Sequence, residues 1–191
     1  MAYVYLLLLG FALGFSLTIP PGPMNALIAA RAVRSLRSGI LTGFGAMSAD
    51  LVLMAVVYAV HTVVDVGSVI RFVYLLGAVV MVAFGGALLL RKEEPPSTEA
   101  SSIRTYSQAV VLGVSNPFQI FWWLTAGLAF AYLGGFVLFV GLFAAVAIWV
   151  VSFPYAVHLG TQRHPEVARA VVYVSVALMF VFAAYFVWLA W

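Results

Sequence analysis

Asp50 is the residue of this 191-residue chain whose position most directly implies chemistry, because it lies inside a long apolar stretch. It follows Gly39 by about eleven residues, or about 16 Å of helix, which places it close to the middle of a bilayer. An intramembrane carboxylate is costly and is a functional candidate as a proton carrier, a cation ligand or the partner of a substrate ammonium. The alternative is a protonated, hydrogen-bonded packing residue.

Two proline breaks are the second feature that implies chemistry. One has the sequence Pro-Pro-Gly-Pro-Met-Asn at residues 20–25, and the other has Ser-Asn-Pro-Phe-Gln at residues 115–119. No water reaches freed backbone groups in the hydrocarbon core, so such breaks occur where protein or a wet cavity covers them. A single proline often only kinks a transmembrane helix. Paired breaks in corresponding halves of a chain instead indicate a transporter binding site near the midplane.

Both breaks have the residues of a helix start. Asn116 is a good N-cap with Pro117 at the first helical position, and Gly22 followed by Pro23 is a permissive version. Two half-helix N-termini, each with about half a positive charge, would converge on a carboxylate or another anion. We therefore predict a substrate-binding site made of Pro21, Gly22, Pro23, Met24, Asn25, Asn116, Pro117, Phe118 and Gln119. Asp50 is predicted to bind the substrate ammonium or to alternate with a proton.

Several other residues are weaker candidates. Trp122 and Trp123 fit either a cavity wall or an aromatic belt. His158 and His164 have no partner at metal-ligand spacing, so we expect no metal site and no cofactor. Glycine pairs that suit close helix packing are Gly10 with Gly14, Gly39 with Gly43, Gly85 with Gly86 and Gly134 with Gly135.

Composition supplies the elements that must position these residues. Hydrophobic residues make up 65% of the chain and charged residues 8%, and the mean hydropathy is +1.14. This composition predicts a polytopic membrane protein, with residues 1–191 as a single membrane domain. The absence of cysteine excludes disulfides and thiolate metal sites. A net charge of +3, scattered over short loops, does not suit a nucleic-acid partner.

The charged residues divide the chain into six predicted spans. These are residues 2–30 (broken), 39–61, 69–90, 107–132 (broken), 136–159 and 167–191. Residues 91–106 form a predicted cytoplasmic linker between two three-helix repeats, 1–90 and 107–191. Eight of the nine basic residues fall on one side, which puts that side in the cytoplasm and both termini outside. An odd number of spans in each half gives the two repeats inverted topology.

These motifs resemble a known family, the lysine exporter and homoserine/threonine efflux (LysE/RhtB type) transporters. The likeness rests on the first break, the basic run Arg31 to Arg37, Asp50 in Ser-Ala-Asp-Leu, and Asn116-Pro117. It covers nearly the whole chain. Many members carry a basic residue directly after Asn-Pro, where this chain has Phe118.

The resemblance implies an all-α, six-span exporter of two inverted repeats, not an enzyme. It would move amino acids or related small solutes out of the cytoplasm across the plasma membrane, in exchange for protons. Its partners would be the solute and the lipid bilayer, and glycine-rich faces would permit a homodimer.

Alternatives remain at this point. The wider superfamily includes metal-cation exporters, although these would need more intramembrane acids or histidines than Asp50 alone. An intramembrane enzyme would need Asp50 and a histidine such as His158 within hydrogen-bond reach, and a noncatalytic scaffold would need neither the breaks nor the acid.

Overall fold

A computed structural model of the chain describes residues 2–19, 22–60, 66–90 and 100–191. Within these ranges the chain is 95% helix and has no strand. The helices are α1 (Ala2–Thr18), α2 (Pro23–Arg34), α3 (Leu36–Val60), α4 (Val66–Leu90), α5 (Ala100–Val114), α6 (Pro117–Trp122), α7 (Leu128–Arg163) and α8 (Pro165–Leu189). A π-helical turn, Trp123–Gly127, joins α6 to α7.

The described helices include several that are apolar enough to cross a membrane. Three pass on length and composition alone: Leu36–Ala59, Gly135–Arg163 and Arg169–Trp188. The pair α1 and α2 adds a fourth if it is one broken span, since the two helices meet at 76° across the first proline break. The chain is therefore an all-helical, multi-pass membrane protein.

The observed helix of the fourth span starts before the predicted one, whereas its C-terminal end falls close to the predicted position. Helix α5 begins at Ala100, inside the predicted linker, while residues 91–99 lie outside the described ranges. At the other end, α7 is interrupted at Gly135, where the backbone has a φ of 53°. This conformation is accessible to glycine and costly for other residues. In the described part of the chain, no atom beyond the local backbone lies within 4 Å of a Cβ placed at Gly135 or at Gly86, so the assignment of these two glycines to close helix packing was wrong.

Glycines do bring other helices together. Gly10 and Gly14 of α1 contact the backbone carbonyls of Leu138 and Leu142, so α1 packs directly on the backbone of α7. Helices α3 and α5 meet in the same way, because Gly45 lies against the Tyr106 carbonyl, 2.7 Å from where its Cβ would stand. Small residues are the usual means of close helix approach in membranes. The packing predicted for Gly10 and Gly14 is thus confirmed.

We predict that Gly10→Ala destabilises the protein, because the new methyl group collides with a backbone carbonyl that cannot rotate away. A cost of about 1–3 kcal/mol is typical of such overpacking. Gly86→Ala is the matched control, since no described atom beyond the local backbone lies within 4 Å of where its Cβ would stand, and alanine gains about 0.5–1 kcal/mol over glycine in a helix. Apparent melting temperatures in detergent compare the two variants. Equal values would show that the α1–α7 contact is unimportant.

Candidate functional site

The Asp50 carboxylate is buried on α3 and is held by two side chains from the second break. Asp50 is 3% exposed. Its Oδ1 accepts a hydrogen bond from Trp123 Nε1 at 2.9 Å and another from Gln119 Nε2 at 3.0 Å. Hydrogen bonds to a charged acceptor are stronger than neutral ones. Two donors on one oxygen therefore fix the orientation of the carboxylate.

The Asn-Pro break organises these donors. The Asn116 side chain accepts the backbone N–H of Phe118 at 3.1 Å, which is the N-cap predicted from the sequence. Its amide nitrogen donates to Gln119 Oε1 at 3.1 Å. A chain of hydrogen bonds thus runs from Asn116 through Gln119 to Asp50. The second break turns its polar groups toward the carboxylate, and Asn116 itself satisfies the Phe118 amide.

Two glycines make room for this arrangement. A Cβ on Gly113 would collide with Ala49 and would lie 3.5 Å from Gln119 Oε1, so the glycine lets α5 approach α3 next to Asp50. A Cβ on Gly127 would lie 2.6 Å from the Trp123 ring. The π turn widens the helix here, and such turns are frequent at functional sites. Trp123 is 1% exposed, so the aromatic-belt interpretation does not describe it.

At the first break the backbone is extended, and a hydrogen bond joins the start of α2 to α7. Gly22 has an extended backbone, and α2 starts directly after it at Pro23. Asn25 on the first turn donates to the carbonyl of Thr18, at the end of α1. Its Oδ1 accepts a hydrogen bond from Trp149 Nε1 at 3.2 Å. Asn25 therefore joins both sides of the break to the second half of the chain.

A cavity of about 270 Å³ lies between the two breaks. Of the predicted substrate-binding residues, it is lined by Gly22, Pro23, Met24, Asn25, Asn116, Phe118 and Gln119, and Asp50 lines it as well. Among the described residues on its wall, Asp50 is the only charged one. Ligand cavities commonly combine an apolar wall with a few polar groups of this kind.

One predicted site residue, Pro117, is not among the residues that line the cavity. Its ring packs against Gly77 of α4. Pro21, like Pro20, falls outside the described residues.

The comparison with protein families adds an independent finding. The model of the LysE type translocator family matches residues 15–189, which include both breaks and Asp50. The chain belongs to the LysE type translocator family. No curated protein and no solved structure matches it. LysE translocators are transporters and not enzymes, and membership indicates an exporter of amino acids or related solutes.

Among the described residues, the acid–base pair of Asp50 with His158 that was considered for an intramembrane enzyme is not formed in this LysE-type chain. His158 Nδ1 lies 2.7 Å from the carbonyl of Ala32, and its Nε2 lies 2.9 Å from the amide nitrogen of Gln162. Asp50 is bound to Gln119 and Trp123 instead. Within the described ranges, no group of three or more acidic or histidine side chains is arranged to hold a metal ion.

Two residues of this translocator have roles that the sequence did not indicate. Arg31, which the topology prediction counted as a loop charge, is buried at the end of α2. Its guanidinium donates to Thr42 Oγ1, to the Thr105 carbonyl and to Gln108 Oε1, and so joins α2 to α3 and α5. Trp149 lines the cavity in the middle of span five. Its position in the sequence could have indicated this role, because a tryptophan in the middle of a span, far from both membrane interfaces, needs a hydrogen-bond partner for its N–H.

We predict that Trp123 and Asp50 stabilise each other in this translocator. Trp123→Phe keeps a ring next to Phe139 and Phe143 but removes the N–H, and Asp50→Ala removes the acceptor. A double-mutant cycle on the free energy of unfolding in mixed micelles should give a coupling of at least about 0.6 kcal/mol, the average for hydrogen bonds between membrane helices, and up to about 1.7 kcal/mol, the largest such value. Additive effects would show that the bond contributes nothing.

Proposed function

We propose that the protein exports neutral amino acids, or related small solutes that carry an ammonium group, from the cytoplasm in exchange for protons. The observation that supports this most is the shared cavity, since Asp50 and the residues of both breaks line the same space. Family membership supports the coarser function of an amino-acid or solute exporter. The substrate charge and the coupling ion are inferred from the side chains of the cavity.

The charge balance of the cavity favours a solute with one ammonium group. Asp50 neutralises one positive charge, and a buried charge needs a partner of opposite sign. The N-terminus of α2 lines the same cavity through Pro23 and Met24, and its partial positive charge favours a solute carboxylate on that side. The apolar wall formed by Ile28, Val146 and other residues suits an uncharged side chain. A second positive charge on the solute would have no acidic partner among the described wall residues.

Proton exchange follows from competition for one carboxylate. Oδ1 of Asp50 already accepts two hydrogen bonds, so we place the ammonium or the proton on Oδ2. Each neutralises the same charge, and the presence of one excludes the other. An ionised Asp50 without bound solute is costly inside the membrane, so Asp50 takes up a proton before the protein returns to the state that faces the cytoplasm. Outward movement of solute is thereby coupled to inward movement of protons.

The proposed transporter has six spans in two inverted repeats, with both termini outside the plasma membrane. The helix packing supports the repeat. Helix α1 of the first span packs on α7, and α5 of the fourth span packs on α3, which are equivalent pairs if span one corresponds to span four and span two to span five. Helix α4 packs on α8, the pair that such a symmetry maps onto itself.

We predict that purified protein in proteoliposomes releases labelled neutral amino acids, and that an opposing proton gradient accelerates the release. Asp50→Asn should reduce gradient-driven efflux at least about tenfold, which corresponds to about 1.4 kcal/mol, while the protein stays folded. Asp65→Asn makes the same chemical change at a position that the sequence places near the end of the span. It should retain efflux.

Two results would contradict the proposal. Absence of efflux for every amino acid tested, with and without a gradient, would exclude amino-acid export. Normal proton coupling in a folded Asp50→Asn variant would remove Asp50 from the coupling mechanism.

A further inference from the structure

A second cavity, of about 370 Å³, lies beside the first between α2, α7 and α8. The two cavities share three lining residues, Gly22, Asn25 and Trp149. Of these, Trp149 has by far the largest side chain. The indole therefore stands where the two spaces meet.

The Trp149 side chain is held in this position from two directions. Its Nε1 donates to Asn25 Oδ1 at 3.2 Å, across the boundary between α7 and α2. Its ring stacks on Phe153, with centroids 5.0 Å apart and planes 6° from parallel. A hydrogen bond and a stacked neighbour together restrict both rotation and tilt of an indole. Trp149 thus forms a fixed partition between the cavities.

The chemistry of the second cavity differs from that of the first. Its wall is largely apolar, with Ala26, Ala29, Val171 and Leu178 among its residues, and no charged side chain is found on its described wall. The Ser175 hydroxyl on this wall donates to the Val171 carbonyl. A solute group that entered this space would therefore have to be apolar, because a charge would lack a partner there.

We propose that Trp149 determines the size limit of the transported solute by closing the Asp50 cavity against the second, apolar cavity. This inference rests on the proposed function and assigns the specificity of that site. With the indole in place, the solute side chain must fit within the first cavity. Without it, a large apolar or aromatic side chain can extend past Asn25 into the second cavity while the ammonium stays at Asp50.

The test measures competition in proteoliposomes between a small neutral amino acid, valine, and a large one, tryptophan, with arginine as a long charged solute. Trp149→Ala is expected to raise the preference for tryptophan over valine at least about tenfold, equivalent to about 1.4 kcal/mol. Arginine should gain no preference, because the second cavity has no partner for its charge. Trp149→Leu is the second variant, with a smaller expected gain, and applies if the alanine variant does not fold.

Three further variants distinguish the bulk of the Trp149 ring from its hydrogen bond and from the volume of the second cavity. Trp149→Phe keeps a ring on Phe153 but loses the N–H, and should change the preference less than about twofold, or 0.4 kcal/mol. Leu178→Ala enlarges only the second cavity, so the preference for tryptophan over valine should stay at its wild-type value. Val174→Phe refills the second cavity from α8, and should cancel the gain when combined with Trp149→Ala.

The outcomes distinguish this inference from the proposed function. If the wild-type protein moves valine but the alanine and leucine variants keep its preference, Trp149 is not the partition and amino-acid export stands. If the preference changes but Val174→Phe does not reverse it, the solute does not enter the second cavity, and the inference also fails. If the wild-type protein moves none of the three solutes, the proposed function fails and the inference fails with it.

Discussion

The pair of hydrogen bonds to Asp50 Oδ1 is the interaction on which the rest of this site depends. A carboxylate in the middle of an apolar bundle is tolerated when polar partners surround it, and here Gln119 and Trp123 provide them. The chain that carries them is irregular, since the short helix after Asn116 passes into a π turn that begins at Trp123. Gly113 contributes as well, because the absence of a side chain there lets α5 approach α3 next to Asp50. Local backbone irregularity thus supports a buried charge.

The two proline breaks contribute to the site in different ways. The Asn-Pro break points inward to Asp50, because Asn116 caps its own helix and orients Gln119. The first break leaves Asn25 between the end of α1 and Trp149 of α7, so that its polar side chain joins the two halves of the chain. The second break therefore orients the donors to the Asp50 carboxylate, and the first places Asn25 on the wall of both cavities. In the proposed inverted repeat, the two breaks occupy equivalent positions but differ in chemistry.

The sequence was sufficient to predict the helical class, the Asp50 candidate and the Asn116 cap, because each depends on residue type or on neighbours along the chain. It was insufficient for contacts made across the bundle. Trp123 is separated by 73 residues from Asp50, and Trp149 by 124 from Asn25, and a sequence pattern does not fix the rotation of each helix. The error at Gly135 has a similar origin, since glycine serves both close packing and unusual backbone angles. The π turn has no residue signature that would have predicted it.

We propose above that a solute ammonium and a proton exclude each other at Asp50. Proton release on solute binding tests it directly, in weakly buffered detergent solution at acidic pH, with purified protein and a neutral amino acid. We expect the wild-type protein to release protons as the solute binds, whereas a folded Asp50→Asn variant should release none at any solute concentration. Equal proton release from both proteins would rule out exchange at Asp50, because the group that loses the proton would then lie elsewhere in the chain.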